Sequence, residues 1–233
     1  MRPSNGDTAL GSESATLGTT VAKSHYAAEM MPGRETEIWR MKDGRAWRVG
    51  LDAEIAWIRE NTEPGLRITS AIPALFAAYA TLELPGTGGH DPASWFEDPD
   101  RHAAGVLAVL SEHTEAQPWW LGYLETGARA ETIFYDVPKV SLYSGWRYVL
   151  IEAGPEQAGS WRAYGLRKGR LPDLMFATDR SWLVSTLWDD DWTCIGGSRD
   201  LVDSFLSHPN LRHRVRHVDP AAEDATPPGH TAI

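Results

Sequence analysis

The spacing of hydrophobic residues along the chain predicts four helices. Apolar residues recur at helical spacing in 51–65 and in 71–86, and Pro73 suits the first turn of the second segment. A third helix is predicted to begin after Asp98, where an apolar stripe follows a capping residue. A fourth is predicted over 198–209, because its hydrophobic residues share one face.

Strands are predicted mainly after Pro118. Aromatic and β-branched residues become frequent there, and Gly or Pro turns separate them into short runs, which is typical of strands. Near the start of the ordered part, Lys42-Asp43-Gly44 separates two apolar runs and predicts a hairpin. The predicted strands are 38–41, 46–49, 119–125, 132–137, 146–152, 181–188 and 192–197, with 211–218 as an edge strand or extended tail.

The grouping of these elements indicates an α+β fold rather than alternating β–α–β units. Hairpin spacing favours a largely antiparallel sheet, with the helices packed on one side and a tryptophan-rich core. Residues 37–218 are predicted to form a single domain. The segments 1–36 and 219–233 show no apolar periodicity, so both are predicted to be disordered tails, and Met30 or Met31 is an alternative start.

The overall charge of the chain indicates which kind of macromolecule it can bind. The chain of 233 residues has a formal charge of −10 and 42% hydrophobic residues. This acidic balance is a poor match for nucleic acid, whose phosphates require basic patches on the protein. It suits a basic protein partner.

The single cysteine, Cys194, rules out an internal disulfide and makes a cytoplasmic location the simplest expectation. The first residues lack the apolar core of a secretory signal. No run approaches the roughly 18 apolar residues that a membrane span requires. We therefore expect no membrane association.

Eleven tryptophans distinguish the composition. Such rings build cores, but they also build interfaces and the walls of ligand pockets. Two of them are adjacent in a predicted strand, so one indole lies on each sheet face and one belongs to the core. The other has two open alternatives, ordinary packing or an aromatic binding groove. The residues of this candidate pocket are Trp119, Trp120, Tyr123, Trp146 and Tyr148.

The stretch TLWDDDWTCIGGS (186–198) places three consecutive aspartates between two tryptophans. A three-residue hairpin loop lets Trp188 and Trp192 face each other across the strands. Asp189, Asp190 and Asp191 then form an acidic tip exposed to water. Such a tip either remains solvated or contacts a basic partner.

A metal site is the competing interpretation of the same aspartates. Calcium loops use alternate acidic positions and a glycine at position six, whereas these acids are consecutive and Cys194 stands at position six. Neighbouring residues of an extended chain point to opposite faces, which opposes convergence on one ion. His213 and His217 lie among arginines, which indicates a basic patch rather than a zinc site. We therefore predict no metal and no cofactor.

Two other features have ordinary structural interpretations. Gly196-Gly197-Ser198 lacks the lysine of a phosphate-binding loop, so capping of the last helix by Ser198 is favoured. Cys194 has no neighbouring base, so it is expected to be a buried strand residue rather than a nucleophile. No recognised catalytic motif appears in the sequence, and no catalytic residue is assigned.

The order of elements resembles that of SUKH-type proteins. IPALFAAY (72–79) is followed by an aromatic sheet, then by DDDW, and then by IGGS leading into a last amphipathic helix. The resemblance extends from Leu66 to His208. It implies an α+β fold, and many SUKH-type proteins are immunity proteins that bind and block toxins, often nucleases, without catalysis.

Three hypotheses of function follow. The leading one is a non-catalytic protein-binding domain, such as an immunity-type inhibitor of a basic toxin or nuclease, with contacts from Trp188 to Trp192. The alternative is an enzyme or small-molecule-binding protein that uses the aromatic pocket with Asp or His acid–base groups. The third is a homo-oligomer that associates through its tryptophans.

Overall fold

One antiparallel sheet of ten strands forms the frame of the structure, a computed structural model that describes residues 37–40, 45–86, 98–125, 137–162, 171–187 and 190–223. The strands are β1 (Glu37–Arg40), β2 (Ala46–Val49), β3 (Ala78–Glu83), β4 (Trp119–Leu124), β5 (Val140–Leu142), β6 (Trp146–Ala153), β7 (Leu174–Ala177), β8 (Leu183–Ser185), β9 (Trp192–Gly197) and β10 (Val215–His217). Across the sheet they lie in the order β1-β2-β6-β4-β7-β8-β9-β3-β10, and β5 pairs with β6.

Four helices accompany the sheet in the described residues. They are α1 (Asp52–Arg59), α2 (Pro99–Glu112), α3 (Pro155–Ser160) and α4 (Arg199–Ser207). A short 3₁₀ turn occupies Ile68–Ser70. These elements confirm the predicted α+β fold with an antiparallel sheet.

Both faces of the sheet are buried along its central strands β3, β4, β7, β8 and β9, because successive residues of these strands point into two different cores. On one face, Ile55 and Ile58 of α1 pack with Trp120 and Tyr148. On the other face, apolar residues of α2, α3 and α4 pack with Trp119. The predicted placement of helices on one side therefore describes α2, α3 and α4, whereas α1 covers the opposite face.

The prediction of a helix over 71–86 is wrong, because β3 occupies Ala78–Glu83. The hydroxyl of Tyr79 accepts a hydrogen bond from the N–H of Phe76 at 3.0 Å and donates one to the carbonyl of Pro73 at 3.1 Å. These bonds fix the preceding loop in a non-helical form. Since β3 lies between β9 and β10 and is buried on both faces, it lacks the alternation that marks a half-exposed strand.

Shorter elements also differ from the sequence-based prediction. β7 and α3 form where no element is predicted. Of the predicted strand 181–188, the described residues 181–187 contain a strand only at Leu183–Ser185, and within 211–218 only Val215–His217 is a strand. Most of the predicted strand 132–137 lies outside the described residues.

A buried contact between a histidine and an arginine joins α2 to the edge of the sheet. Arg214, which is 4% exposed, donates from Nη1 to Nδ1 of His102 at 2.9 Å and to the carbonyl of Glu83 at 2.6 Å. Burial, and then the charge of Arg214, lower the pKa of His102 to about 3. His102 is therefore neutral in the folded protein at neutral pH.

We expect His102 to make the fold sensitive to mild acid. The unfolded chain protonates this histidine below a pKa of 6.5, whereas the folded protein resists protonation down to about 3. The free energy of unfolding therefore falls as the pH drops through this window, by up to about 1.4 kcal/mol for each pH unit.

The test compares His102→Gln, which keeps an acceptor for Arg214, with His217→Gln, which changes an exposed histidine. Urea denaturation at about pH 7 and about pH 4.5 compares stability above this window with stability well inside it. The difference between the two pH values should shrink only in His102→Gln. An unchanged difference would contradict the assignment.

Candidate functional site

The turn between β8 and β9, together with the first residue of β9, contains three of the five predicted contact residues within the described part of the chain. These are Asp190, Asp191 and Trp192, whereas Trp188 and Asp189 lie outside the described residues. Trp192 is 4% exposed and packs into the core on the α1 face. The predicted pairing of the two indoles stays a prediction.

Backbone and hydroxyl contacts tie this turn to the neighbouring strands. The N–H of Leu84 donates to the carbonyl of Asp191 at 2.7 Å. The hydroxyl oxygens of Thr186 and Thr193 lie 2.7 Å apart and link the two strands beneath the turn. The backbone of Asp191 is therefore held in place by β3.

The two described aspartates of the turn differ in exposure. Asp191 is half-buried, but Asp190 is only 8% exposed and so departs from the solvated tip that the sequence predicts. Burial, and then the charge of Asp190, raise the pKa of the Cys194 thiol to about 12. Cys194 is a buried residue of β9, as predicted, and it stays protonated at neutral pH.

The five residues of the predicted aromatic pocket lie in the core rather than around a common cavity. Trp119 and Tyr123 belong to the core beneath α2, α3 and α4, whereas Trp120 and Tyr148 belong to the core beneath α1. These four side chains are at most 3% exposed, and Trp146 is half-buried against the α1 core. Because neighbouring residues of β4 point to opposite faces, the sheet itself separates the two sets.

The tyrosine hydroxyls of this set are poor candidates for acid–base chemistry. Neither the hydroxyl of Tyr123 nor that of Tyr148 has a hydrogen-bond partner in the described residues. Burial raises the pKa of both phenols above the ordinary value. Both groups therefore stay protonated at neutral pH.

The structure gives no candidate metal centre within its described residues. No group of three or more His, Cys, Asp or Glu side chains is placed there to hold an ion. His213 and His217 are exposed, while Arg214 between them is buried against His102.

A shallow cleft of about 380 Å³ opens where β9 ends and α4 begins. Its walls come from α1, from the loop before β3, from the β7–β8 turn and from the end of β9. Most of the lining is apolar, with one guanidinium and two hydroxyl groups. The lining residues are Trp57, Leu75, Phe76, Ala77, Arg180, Ser181, Gly197 and Ser198.

Leu75 is the exposed hydrophobic residue of this cleft, with 60% of its surface accessible to solvent. Its loop is fixed on both sides, because the Tyr79 hydroxyl bonds to the backbone of Pro73 and of Phe76. The apolar side chain of Leu75 is therefore exposed in the cleft on a loop whose backbone conformation is fixed.

Arg180 lies above the cleft on the β7–β8 turn. Its φ of +63° places it in the left-handed region, and Asp179 stabilises the turn by accepting a hydrogen bond from the N–H of Ser181 at 2.9 Å. The guanidinium carbon lies 5.5 Å from the centre of the Trp57 ring. No side-chain hydrogen bond or ion pair joins Arg180 to the described residues.

Close packing explains the Gly-Gly-Ser sequence at the end of β9. A Cβ on Gly196 would lie 2.4 Å from Cγ2 of Ile72, and one on Gly197 would lie 2.4 Å from Cδ2 of Leu201. The Ser198 hydroxyl accepts a hydrogen bond from the N–H of Leu201 at 3.1 Å. The predicted capping role of Ser198 is thus confirmed.

The cleft residues come from four separate segments, so no local motif marks them in the sequence. The helix predicted over 71–86 places Leu75 and Phe76 on a buried face, whereas the actual loop exposes Leu75. The turn at Arg180 was detectable only as a polar interruption between apolar runs. Its left-handed conformation has no signature in an Asp-Arg-Ser sequence.

No protein-family model, curated protein or solved structure matches the chain. The resemblance to SUKH-type proteins therefore stays a prediction. None of the helices in the described part has the length and apolar character that a membrane-spanning segment requires.

Gly196→Ala should destabilise the fold, because the added methyl group would lie 2.4 Å from Ile72 and 2.5 Å from Phe76. We expect the free energy of unfolding to fall by about 1–3 kcal/mol, the usual cost of overpacking a core. Gly65→Ala is the matched control, since a Cβ there meets nothing within 4 Å. Urea denaturation followed by tryptophan fluorescence measures both, and equal stability of the two variants would refute the packing role.

Proposed function

We propose that the protein is a non-catalytic protein-binding domain and that the cleft at the start of α4 is its main contact surface. The observation that carries this proposal is the exposed side chain of Leu75, held beside Trp57 and Arg180. A rigid surface loses little conformational entropy when a partner binds to it.

The composition of the cleft supports protein recognition. Trp and Arg are enriched at the energetic centres of protein interfaces, and both occur here as Trp57 and Arg180. Covering the accessible part of Leu75 would contribute about 1–2 kcal/mol. The other large exposed hydrophobics of the described residues, Ile38 and Leu66, do not line the cleft.

The same lining favours recognition over acid–base catalysis. None of the described lining residues is a His, Cys, Asp or Glu, the usual proton-transfer groups. The hydroxyl of Ser198 is engaged in capping α4. The remaining groups offer apolar contact, the hydroxyl of Ser181 and the positive charge of Arg180, which are means of binding.

The charge of the chain supports a basic partner. With a formal charge of −10, the protein attracts positively charged proteins over distances comparable to the Debye length. Asp191 adds a partly exposed carboxylate on a fixed turn. The finer proposal is an immunity-type inhibitor of a basic toxin or nuclease, which the resemblance to SUKH-type proteins also favours.

Leu75→Ser should release the partner, whereas Leu66→Ser should not. Both leucines are exposed to a similar degree, 60% and 55%, but only Leu75 lines the cleft. Affinity purification from the native host, with native mass spectrometry of the recovered complexes, compares the two variants with the unmodified chain. A polypeptide retained by Leu66→Ser and lost from Leu75→Ser supports the proposal. Equal retention, or recovery of only a small metabolite, contradicts it.

Asp191→Lys should slow association with a basic partner more than Glu115→Lys does. Both substitutions change the net charge equally, but Glu115 is an exposed residue of the connection between α2 and β4. We expect the difference at about 50 mM salt to disappear near 500 mM, because ions screen the attraction. Surface plasmon resonance with the purified partner gives the association rates. Equal rates for the two variants at low salt would remove the turn from the contact surface.

A further inference from the structure

We propose that the cleft recognises an acidic residue next to an aromatic residue in the partner polypeptide. The carboxylate meets Arg180, and the apolar side chain lies against Leu75 and Phe76. This inference rests on the proposed function, in which the cleft is the contact surface.

Arg180 supplies a positive charge that forms no ion pair with the described residues. Its guanidinium takes part in no hydrogen bond with them, and its aromatic contact is with Trp57. The carboxylate of the adjacent Asp179 accepts a hydrogen bond from the N–H of Ser181 and so stabilises the turn. In a protein with a formal charge of −10, this local cation is what makes the cleft favourable for an acidic group.

The ring of Trp57 lies beneath the Arg180 guanidinium, whose carbon is 5.5 Å from the ring centre. A guanidinium lying over an aromatic ring keeps its N–H edge available for two parallel hydrogen bonds to carboxylate oxygens. Trp57 is 7% exposed, and its Nε1–H has no acceptor among the described residues. The wall of the cleft thus contains a second donor that has no partner among the residues that the structure describes. Because that nitrogen is shielded from solvent, the direct contact is with Arg180.

The start of α4 is not the anion site in this arrangement. The Ser198 side chain already accepts the hydrogen bond of the Leu201 N–H and occupies the end of the helix. Arg180, rather than the helix terminus, therefore determines the charge of the occupant.

The size and openness of the cleft fit a short polypeptide segment. Its volume of about 380 Å³ is near the small end of ligand pockets and accommodates one or two large side chains. Leu75 and Arg180 are both exposed, so a chain can enter and leave on that side. The apolar wall of Leu75, Phe76 and Trp57 matches an aromatic side chain beside the acid.

The test uses two acetylated and amidated peptides, Gly-Ser-Phe-Glu-Ser-Gly and the same peptide with Gln in place of Glu. Each is titrated into the full chain, and the indole N–H resonance of Trp57 is followed by NMR. The Glu peptide should bind about 5- to 10-fold more tightly, because a charge-assisted hydrogen bond is stronger than a neutral one.

Two variants assign this preference to one side chain. Arg180→Gln should bind both peptides with the affinity of the unmodified chain for the Gln peptide, and that retained binding shows that the variant is folded. Arg101→Gln removes an exposed cation from α2, which packs on the opposite face of the sheet, and should keep the full preference.

The inference is overturned by equal affinities for the two peptides or by a preference that persists in Arg180→Gln. It is also overturned if neither peptide shifts the Trp57 resonance at a peptide concentration of about 5 mM, which is high enough to detect weak binding. Equal peptide affinities together with partner loss in Leu75→Ser reject this inference and keep the proposed function. A clear Glu preference together with unchanged partner capture in Leu75→Ser rejects the proposed function instead.

Discussion

Burial of both faces of one antiparallel sheet is the constraint on which the rest of the structure depends. Each central strand has to supply apolar side chains in both directions, and large aromatic rings fill the space on either side. Trp119 meets Trp182 edge-on at 5.0 Å on one face, while Trp120 stacks on Phe176 at 6.4 Å on the other. The abundance of tryptophan is therefore explained first by packing.

The cleft lies at the end of β9, where side chains of both cores pack closely against the two faces of the strand. Ile72 packs against Gly196 on one face of the sheet, and Leu201 packs against Gly197 on the other. This close approach brings the loop before β3, the β7–β8 turn and the first residue before α4 to the same place. The cleft is thus a product of close packing against the backbone. Its polar groups are those that this packing leaves exposed at its edge.

Local signals in the sequence were enough for the elements with a cap and an amphipathic stripe. The caps at Asp98 and Ser198 and the stripes that follow them gave α2 and α4 correctly. The same reasoning failed for β3 and β7, because a strand buried on both faces has no alternation to distinguish it from a buried helix. The cleft could not be predicted from the sequence for another reason, since Leu75 and Arg180 become neighbours only through tertiary structure.

The position of β3 has a consequence for how the chain acquires its fold during synthesis. β3 ends at Glu83, yet its two partners, β9 and β10, begin at Trp192 and Val215. A growing polypeptide therefore carries this apolar strand with both edges unpaired until nearly all of the domain has left the ribosome. Pairings so distant along the chain form slowly, and a strand with unpaired edges is exposed to intermolecular association until its partners arrive.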